Sequence, residues 1–317
     1  MIVFPQIAMT DAILVSSNVA EDDYVVWDNT TDFAIGDYCI SIATHTVYRA
    51  LVANGPGNGG DVDPDAEQIA LADPLVTDPD PINWQVISAT NRWKAFDERP
   101  ARQTTNAETI EYDLTPSQIV TGIGFFNLDA DSLRILVTDP TDGVVYDQTF
   151  DLIDNTAIDD YWPYFFEPIV RLEDFVTLEL PPYPSASISI TIGKTGGTAA
   201  VGQIVFGRAL NFGFVRIGPT AVNGLDFSFV QNDELGELTS IPREATQIVT
   251  LSGVVDTVRV AYVGAQLKAL RGAGKAVWVG DEDTRKGAVA YGFYRDWRSV
   301  FQVGDRSILD VEIQEVV

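Results

Sequence analysis

Short stretches in which apolar and polar residues alternate recur along the whole chain. The runs TIEYDL, SLRILVTD, SISITIG and SILDVEIQE place apolar side chains at every second position, and turn-forming residues bound them. The apolar positions are Ile110, Tyr112, Leu114, Leu133, Ile135, Val137, Ile188, Ile190, Ile192, Leu309, Val311 and Ile313. A period of two is typical of half-buried antiparallel strands, so the pattern predicts a mainly β fold.

Three segments depart from this alternation. DTVRVAYVGAQLKALRG, which ends at Gly272, favours a helix in its second half, whereas its β-branched first half is equally compatible with a strand. Glycine, proline and aspartate dominate residues 54–83, which we expect to form a long excursion, not ordered core, closed by the run WQVI. A break near residues 209–218 separates the middle of the chain from its last third.

Charge excludes one class of partner. The 317 residues include 46 Asp and Glu but only 20 Lys and Arg, a formal net charge of -26, which repels nucleic acid and anionic membrane surfaces. No run approaches the roughly 18 apolar residues of a membrane span, and the N-terminus lacks a signal-peptide pattern. We therefore expect a soluble protein that binds no nucleic acid and inserts into no membrane.

Residues that support catalysis or metal binding are scarce. His45 and Cys39 are the only histidine and cysteine, so neither a zinc cluster nor an evident nucleophile–base–orienter set is available. DVDPDAE (61–67) has acidic spacing like a calcium loop, but it lacks the central glycine and contains Pro64, which favours a solvated acidic loop. We expect no catalytic residue, metal or cofactor, although a glycosidase-type carboxylate pair remains open.

Aromatic residues are dense between residues 26 and 57, around a Gly-Asp turn in IGDYC. The strands on each side of that turn are too short to bury much, so the aromatics form either a small core or an exposed platform. The order of Trp27, Phe33, Tyr38, Tyr48 and Trp84 resembles the chitin-binding-type modules of carbohydrate-binding families 5 and 12. This resemblance implies a core of Trp27, Tyr48 and Trp84, with Phe33 and Tyr38 as the sugar-stacking platform.

The middle segment resembles a galactose-binding-like (discoidin-type) jelly roll. The resemblance is carried by NRWKAFDERPARQT, by the alternating VTGIGFFNLDADSLRILVTD and by the closing VGQIVFGRAL. It implies a β-sandwich with loops gathered at one end.

Two aromatic clusters indicate interfaces. DDYWPYFFEP and YGFYRDWRSVF (291–301) each carry five aromatic residues. The candidate interface residues are Tyr161, Trp162, Tyr164, Phe165, Phe166, Tyr294, Trp297 and Phe301. Exposed apolar patches mark interaction sites, and Tyr, Trp and Arg dominate interface energetics. We expect at least one cluster to contact another copy or a neighbouring protein.

The order of these modules resembles that of tailed-bacteriophage structural proteins. The last third, with the runs GPTAVNGLDFSFVQNDELGELTSIPREA and AYGFYRDWRSVF, resembles the C-terminal segments of phage tail proteins. The resemblance implies a non-enzymatic virion protein of the tail or tail tip, assembled in the host cytoplasm, that serves assembly and adhesion to host-surface glycans. Its partners would be other tail proteins, copies of itself and host-surface polysaccharide. Two alternatives stay open: a purely structural tail component with no glycan binding, and a polysaccharide-degrading enzyme.

The expected organisation has four parts. They are an N-terminal arm (1–20), a small aromatic-rich three-stranded module (21–90), a β-sandwich of jelly-roll type (91–210) and a C-terminal β-rich α+β assembly domain (211–317).

Overall fold

The computed structural model describes most of the chain. The described residues are 1–58, 60–72, 82–154, 160–166, 168, 170–216, 218–232, 238–243, 245–271, 274–281, 288–301 and 304–316. Strands account for 52% and helices for 12%, and the sheets are antiparallel, so the predicted mainly β class is confirmed. Within the described ranges, no helix has the length and apolar character needed to cross a membrane.

The described strands are, in chain order, β1 (Ile2–Pro5), β2 (Leu14–Ser17), β3 (Tyr38–Ser41), β4 (Thr46–Ala50), β5 (Trp84–Ala89), β6 (Thr104–Leu114), β7 (Gly122–Asp129), β8 (Ser132–Asp139), β9 (Gly143–Asp151), β10 (Phe175–Thr177), β11 (Ser187–Gly207), β12 (Leu210–Asn211), β13 (Phe214–Val215), β14 (Ala221–Asp226), β15 (Phe229–Asn232), β16 (Leu238–Ile241), β17 (Ala245–Asp256), β18 (Ala276–Val279), β19 (Val289–Phe301) and β20 (Arg306–Glu315). The described α-helices are α1 (Pro64–Ala72), α2 (Tyr161–Phe166) and α3 (Val260–Ala269). Every strand predicted from alternation is present, in β6, β8, β11 and β20.

The module is a three-stranded antiparallel sheet in the order β3-β4-β5. The predicted turn precedes β3, where Gly36 has a φ of 94°, in the left-handed region that suits glycine. Gly36 donates its N–H to the carbonyl of Ala50 at 2.8 Å, and a carboxylate oxygen of Asp37 accepts the N–H of Ala34 at 2.7 Å. These bonds fix the start of β3 against the end of β4.

Part of the segment 54–83 is ordered, contrary to the prediction of an excursion without core. Helix α1 lies inside it, and Glu67 on that helix is buried. Val62 packs against the core of the module. The remaining part of the predicted excursion, residue 59 and residues 73–81, lies outside the described residues.

The sandwich is built around the long strand β11. Its first half pairs with β8 and its second half with β7, and a register shift separates the halves between Gly193 and Thr198. Side chains from both halves, Ile190 and Ile204 among them, enter one apolar core together with Ile135 of β8 and Phe125 of β7. The two halves of this sheet therefore face each other across that core, as the sandwich prediction requires.

A third sheet forms the C-terminal part, in the order β12-β1-β18-β19-β20-β17-β13, with β14 also paired to β17. Alternate side chains enter two different cores: Trp278 packs on the α3 side, whereas Val277 and Val279 face the sandwich. Phe126 and Val205 of the sandwich complete the second core. The third sheet is therefore buried on both faces where it meets the sandwich.

The N-terminal segment 1–20 is shared between the sandwich and the third sheet, and does not form a separate arm. Strand β1 pairs with β12 and β18 in the third sheet, and β2 pairs with β6 in the sandwich. Where the chain leaves the sandwich, a Cβ on Gly207 would lie 2.1 Å from the carbonyl oxygen of Pro5, so only glycine fits. In the ambiguous segment that ends at Gly272, Asp256 is the last residue of β17, residues 257–259 form a short 3₁₀ turn, and α3 follows, so the alternative of a strand across its first half is wrong.

Candidate functional site

The aromatic residues of the module divide into a core and an exposed group. Tyr48 and Trp84 are buried, and Trp27 is half-buried against them. Phe33 is only 3% exposed and packs edge-on against Trp84, with ring centroids 5.5 Å apart. The assignment of Phe33 to an exposed platform is therefore wrong, because an antiparallel bridge to Asn54 holds this part of the backbone with the Phe33 ring in the module core.

Tyr38 is exposed, and it has a partner that the sequence analysis missed. Tyr24 stacks on Tyr38 with ring centroids 5.0 Å apart and an angle of 19° between the planes. The guanidinium carbon of Arg49 lies 5.9 Å from the centre of the Tyr38 ring. We call these three side chains the tyrosine face. It combines aromatic rings with a cation and five possible hydrogen-bond donors on the guanidinium.

A backbone bridge explains why Tyr24 reaches Tyr38. Val26 and Ile40 form a parallel bridge, and the N–H of Ile40 donates to the carbonyl of Val25 at 3.0 Å. Each tyrosine lies two residues before its member of that bridge, so both side chains emerge on the same face. The only signal in the sequence was an aromatic residue in a short run, YVVW, that lacked alternation.

His45 connects the module to the N-terminal segment and the sandwich. Its Nδ1 lies 2.8 Å from a carboxylate oxygen of Glu21, and its Nε2 lies 2.7 Å from one of Asp11. The ring stacks on Trp93 at a centroid distance of 4.0 Å. His45 has a φ of 54° in the turn between β3 and β4. Both ring nitrogens lie within hydrogen-bond distance of a carboxylate, so the ring links two earlier segments of the chain to this turn.

A cavity of about 530 Å³ adjoins His45 between the module and the sandwich. Asp97, Arg99 and Arg102 also line it, and burial raises the pKa of Asp97 to about 6.

Cys39 lies fully buried in the module core, where burial, with a smaller effect of the Asp65 charge, raises its thiol pKa to about 12. Cys39 is therefore a protonated thiol at neutral pH, which makes it a poor nucleophile.

The acidic run 61–67 forms structural contacts. The carboxylate of Asp65 accepts hydrogen bonds from the hydroxyls of Ser41, Thr44 and Tyr48, at 2.5, 2.7 and 2.8 Å. The expectation of a solvated acidic loop is wrong for this carboxylate, which instead ties α1 to β3 and β4. Among the described residues, no group of three or more His, Cys, Asp or Glu side chains is arranged to hold a metal ion.

Helix α2 presents an exposed aromatic surface, which we call the aromatic helix. Tyr161 is 84% exposed and Trp162 is 66% exposed, and Phe165 and Phe166 are similarly open. Trp162 and Phe166, one turn apart, pack together with ring centroids 4.3 Å apart. The side chain of Tyr164 lies outside the described part of the chain. An apolar surface of this density is unusual on a protein that functions as an isolated monomer.

The C-terminal aromatic cluster lies on β19, which extends beyond the end of β18. Tyr294 and Trp297 are partly buried against the core beneath α3, whereas Phe301 is 67% exposed. Trp297 and Phe301 form one wall of a groove of about 580 Å³, and Gly264 and Lys268 of α3 form the other. We call this the α3–β19 groove. Of the three predicted interface residues here, Phe301 is the most accessible.

No protein-family model matches the chain, and no curated protein matches it. The function proposed below therefore rests on the surfaces just described and on the sequence resemblances.

Proposed function

We propose that this protein is a non-enzymatic structural component of a bacteriophage tail or tail tip, which works by associating with copies of itself and with neighbouring virion proteins. The aromatic helix carries this proposal. Its described side chains expose more aromatic surface than is usual for a protein that functions as an isolated monomer. The module order, which resembles that of tail proteins, supplies the context of a virion.

The surroundings of His45 and Cys39 support a non-enzymatic role over histidine- or cysteine-based catalysis. His45 is held by two carboxylates, and the Cys39 thiol is buried. Neither arrangement resembles an activated nucleophile beside its base. A carboxylate pair of the glycosidase kind stays open as the alternative, and the exposed aromatic surfaces favour binding.

Assembly is tested first on the intact chain. We expect the purified protein to form a closed oligomer whose population rises with concentration, measured by sedimentation velocity and by light scattering after size exclusion. Trp162→Ser should shift the distribution toward monomer, because it removes an exposed aromatic anchor. Val144→Ser, which changes an exposed apolar residue on the sandwich, is the matched control and should leave the distribution unchanged. A chain that stays monomeric at all concentrations would argue against the proposal.

Adhesion to host glycans is a second function, supported by the tyrosine face. Sugar rings stack their C–H faces on aromatic side chains, and nearby donors bond the hydroxyls. Tyr24, Tyr38 and Arg49 supply such an arrangement on the surface of the module. Many copies on one particle would turn weak single contacts into strong attachment.

The glycan function predicts a clean separation of binding from folding. Tyr38→Ala should abolish retention on insoluble chitin or on host-cell polysaccharide, because it removes half of the stack, while leaving the melting temperature nearly unchanged. Phe33→Ala should lower the melting temperature, because it opens a cavity beside Trp84. Retention by the Tyr38→Ala variant equal to that of the unmodified chain would rule out this platform and leave the purely structural alternative.

A further inference from the structure

We propose that copies of this chain join head to tail, with the aromatic helix of one copy seated in the α3–β19 groove of the next. This inference rests on the proposed assembly function and names the two surfaces that would carry it. The two surfaces lie on different parts of the chain, one on the sandwich and one on the third sheet. A contact between unlike surfaces leaves one of each free, so it continues from copy to copy and gives a closed oligomer when the rotation between copies completes a ring.

Charge along the chain is strongly asymmetric. Residues 1–207 contain 32 acidic and 8 basic residues, whereas residues 208–317 contain 14 acidic and 12 basic ones. The same contrast holds for the two chain segments that carry the aromatic helix and α3. Residues 135–170, which include the aromatic helix, contain eight acidic residues and no lysine or arginine. Residues 257–280, which include α3, contain four basic residues and no acidic one.

Exposed charges of opposite sign adjoin the two surfaces. Asp160 is exposed immediately before the aromatic helix, and one of its carboxylate oxygens accepts the N–H of Trp162 at 2.7 Å. Lys268 is exposed in the last turn of α3 and lines the groove, with Arg271 exposed just beyond. At physiological salt, charges interact strongly only within about 8 Å. The net negative charge of each copy is therefore largely screened, while paired charges at the contact remain effective.

The shape of the groove suits aromatic side chains. Its α3 wall carries the small residues Ala261, Gly264 and Ala265, and its β19 wall carries Trp297 and Phe301. Its volume of about 580 Å³ is in the range of about 300–1,000 Å³ that is typical of pockets for compact apolar groups. Trp162 and Phe166 form a tilted pair, with 34° between the ring planes, and edge or offset packing against Trp297 would bury both.

The test blocks one surface at a time. Ala265→Glu places an acid in the groove on an exposed helical position, and we expect it to weaken self-association by at least about tenfold. Ala269→Glu makes the same change on the same helix but outside the groove, and should leave association unchanged. Asp160→Lys and Lys268→Glu should each weaken association, and the chain carrying both changes should regain most of it. Sedimentation velocity measures all five chains, and circular dichroism checks that each is folded.

Mixing provides the decisive outcome. A chain with Trp162→Ser keeps its groove, and a chain with Ala265→Glu keeps its aromatic helix. An equimolar mixture should form heterodimers that extend no further, whereas a contact between like surfaces would give none. If the unmodified chain assembles but Ala265→Glu and Trp162→Ser assemble equally well, the proposed docking pair is wrong while the assembly function stands. If the unmodified chain never assembles, both are wrong.

Discussion

Replacing Glu67 by alanine is expected to unfold the module while the sandwich and the third sheet persist. The carboxylate of Glu67 is buried on α1 and accepts three hydrogen bonds from the start of β5. Its Oε1 accepts the backbone N–H and the side-chain amide of Asn83, at 2.9 and 2.8 Å, and its Oε2 accepts the backbone N–H of Trp84 at 2.8 Å. Alanine leaves the Trp84 N–H buried without an acceptor at the edge of the aromatic core.

The expected cost is about 3 kcal/mol or more, because hydrogen bonds to a charged group contribute about 1.5–3 kcal/mol each and do not add fully. Hydrogen exchange at the Trp84 amide measures the local loss directly. Glu67→Gln keeps one acceptor oxygen and should give an intermediate loss. Ile69→Ala changes an exposed residue on the same helix and should have little effect. Equal protection of the Trp84 amide in Glu67→Ala and the unmodified chain would contradict the prediction.

Replacing the acids at the contact between the sandwich and the third sheet is expected to stabilise the protein at neutral and higher pH. Asp174 and Glu315 line the same cavity there. Burial, with a smaller effect of the Glu173 charge, raises the pKa of Asp174 to about 6. Burial and the Asp174 charge raise the pKa of Glu315 to about 7. Both carboxyls therefore ionise less readily in the folded chain than in the unfolded one.

The sign of the effect follows from proton binding. Between about pH 4 and pH 7, the folded state holds protons at these two sites that the unfolded state has released, so stability falls as the pH rises. Above this window both groups are charged and the full penalty is present. Below it, both states are protonated and the penalty vanishes. A pKa difference of one corresponds to about 1.4 kcal/mol, so Asp174→Asn with Glu315→Gln should raise the free energy of unfolding by several kcal/mol at about pH 8 and leave it nearly unchanged at about pH 3.

Urea denaturation at a series of pH values measures this difference. Glu312→Gln is the matched control, because Glu312 lies on the same strand as Glu315 but forms a surface ion pair with Arg295 at 3.2 Å. Its loss should change stability by less than about 1 kcal/mol, with no change in the pH profile. The account fails if the Asp174→Asn, Glu315→Gln chain keeps the pH profile of the unmodified protein.

Much of the β architecture follows from local pattern. Ile110, Ile135, Ile190 and Val311 all lie buried on strands that the alternation predicts, because a period of two fixes which side chains share a face whatever the neighbouring strand is. The Gly36 turn could be predicted from the sequence as well, since few residues other than glycine adopt its φ. The aromatic cluster at 161–166 stood out by composition, in a segment expected to be a loop, and the structure shows that it forms α2 with its described side chains exposed.

The tertiary structure alone decided which of these elements meet. Phe33 is the buried ring and Tyr38 the exposed one because Phe33 bridges Asn54 and enters the module core, whereas Tyr38 stacks on Tyr24, and no local pattern encodes those pairings. Strand β1 joins strands more than 200 residues away, and His45 receives its two carboxylates from segments 24 and 34 residues earlier in the chain. Sequence determines local conformation through sterics and periodicity, whereas these pairings depend on the total burial that only the assembled chain achieves.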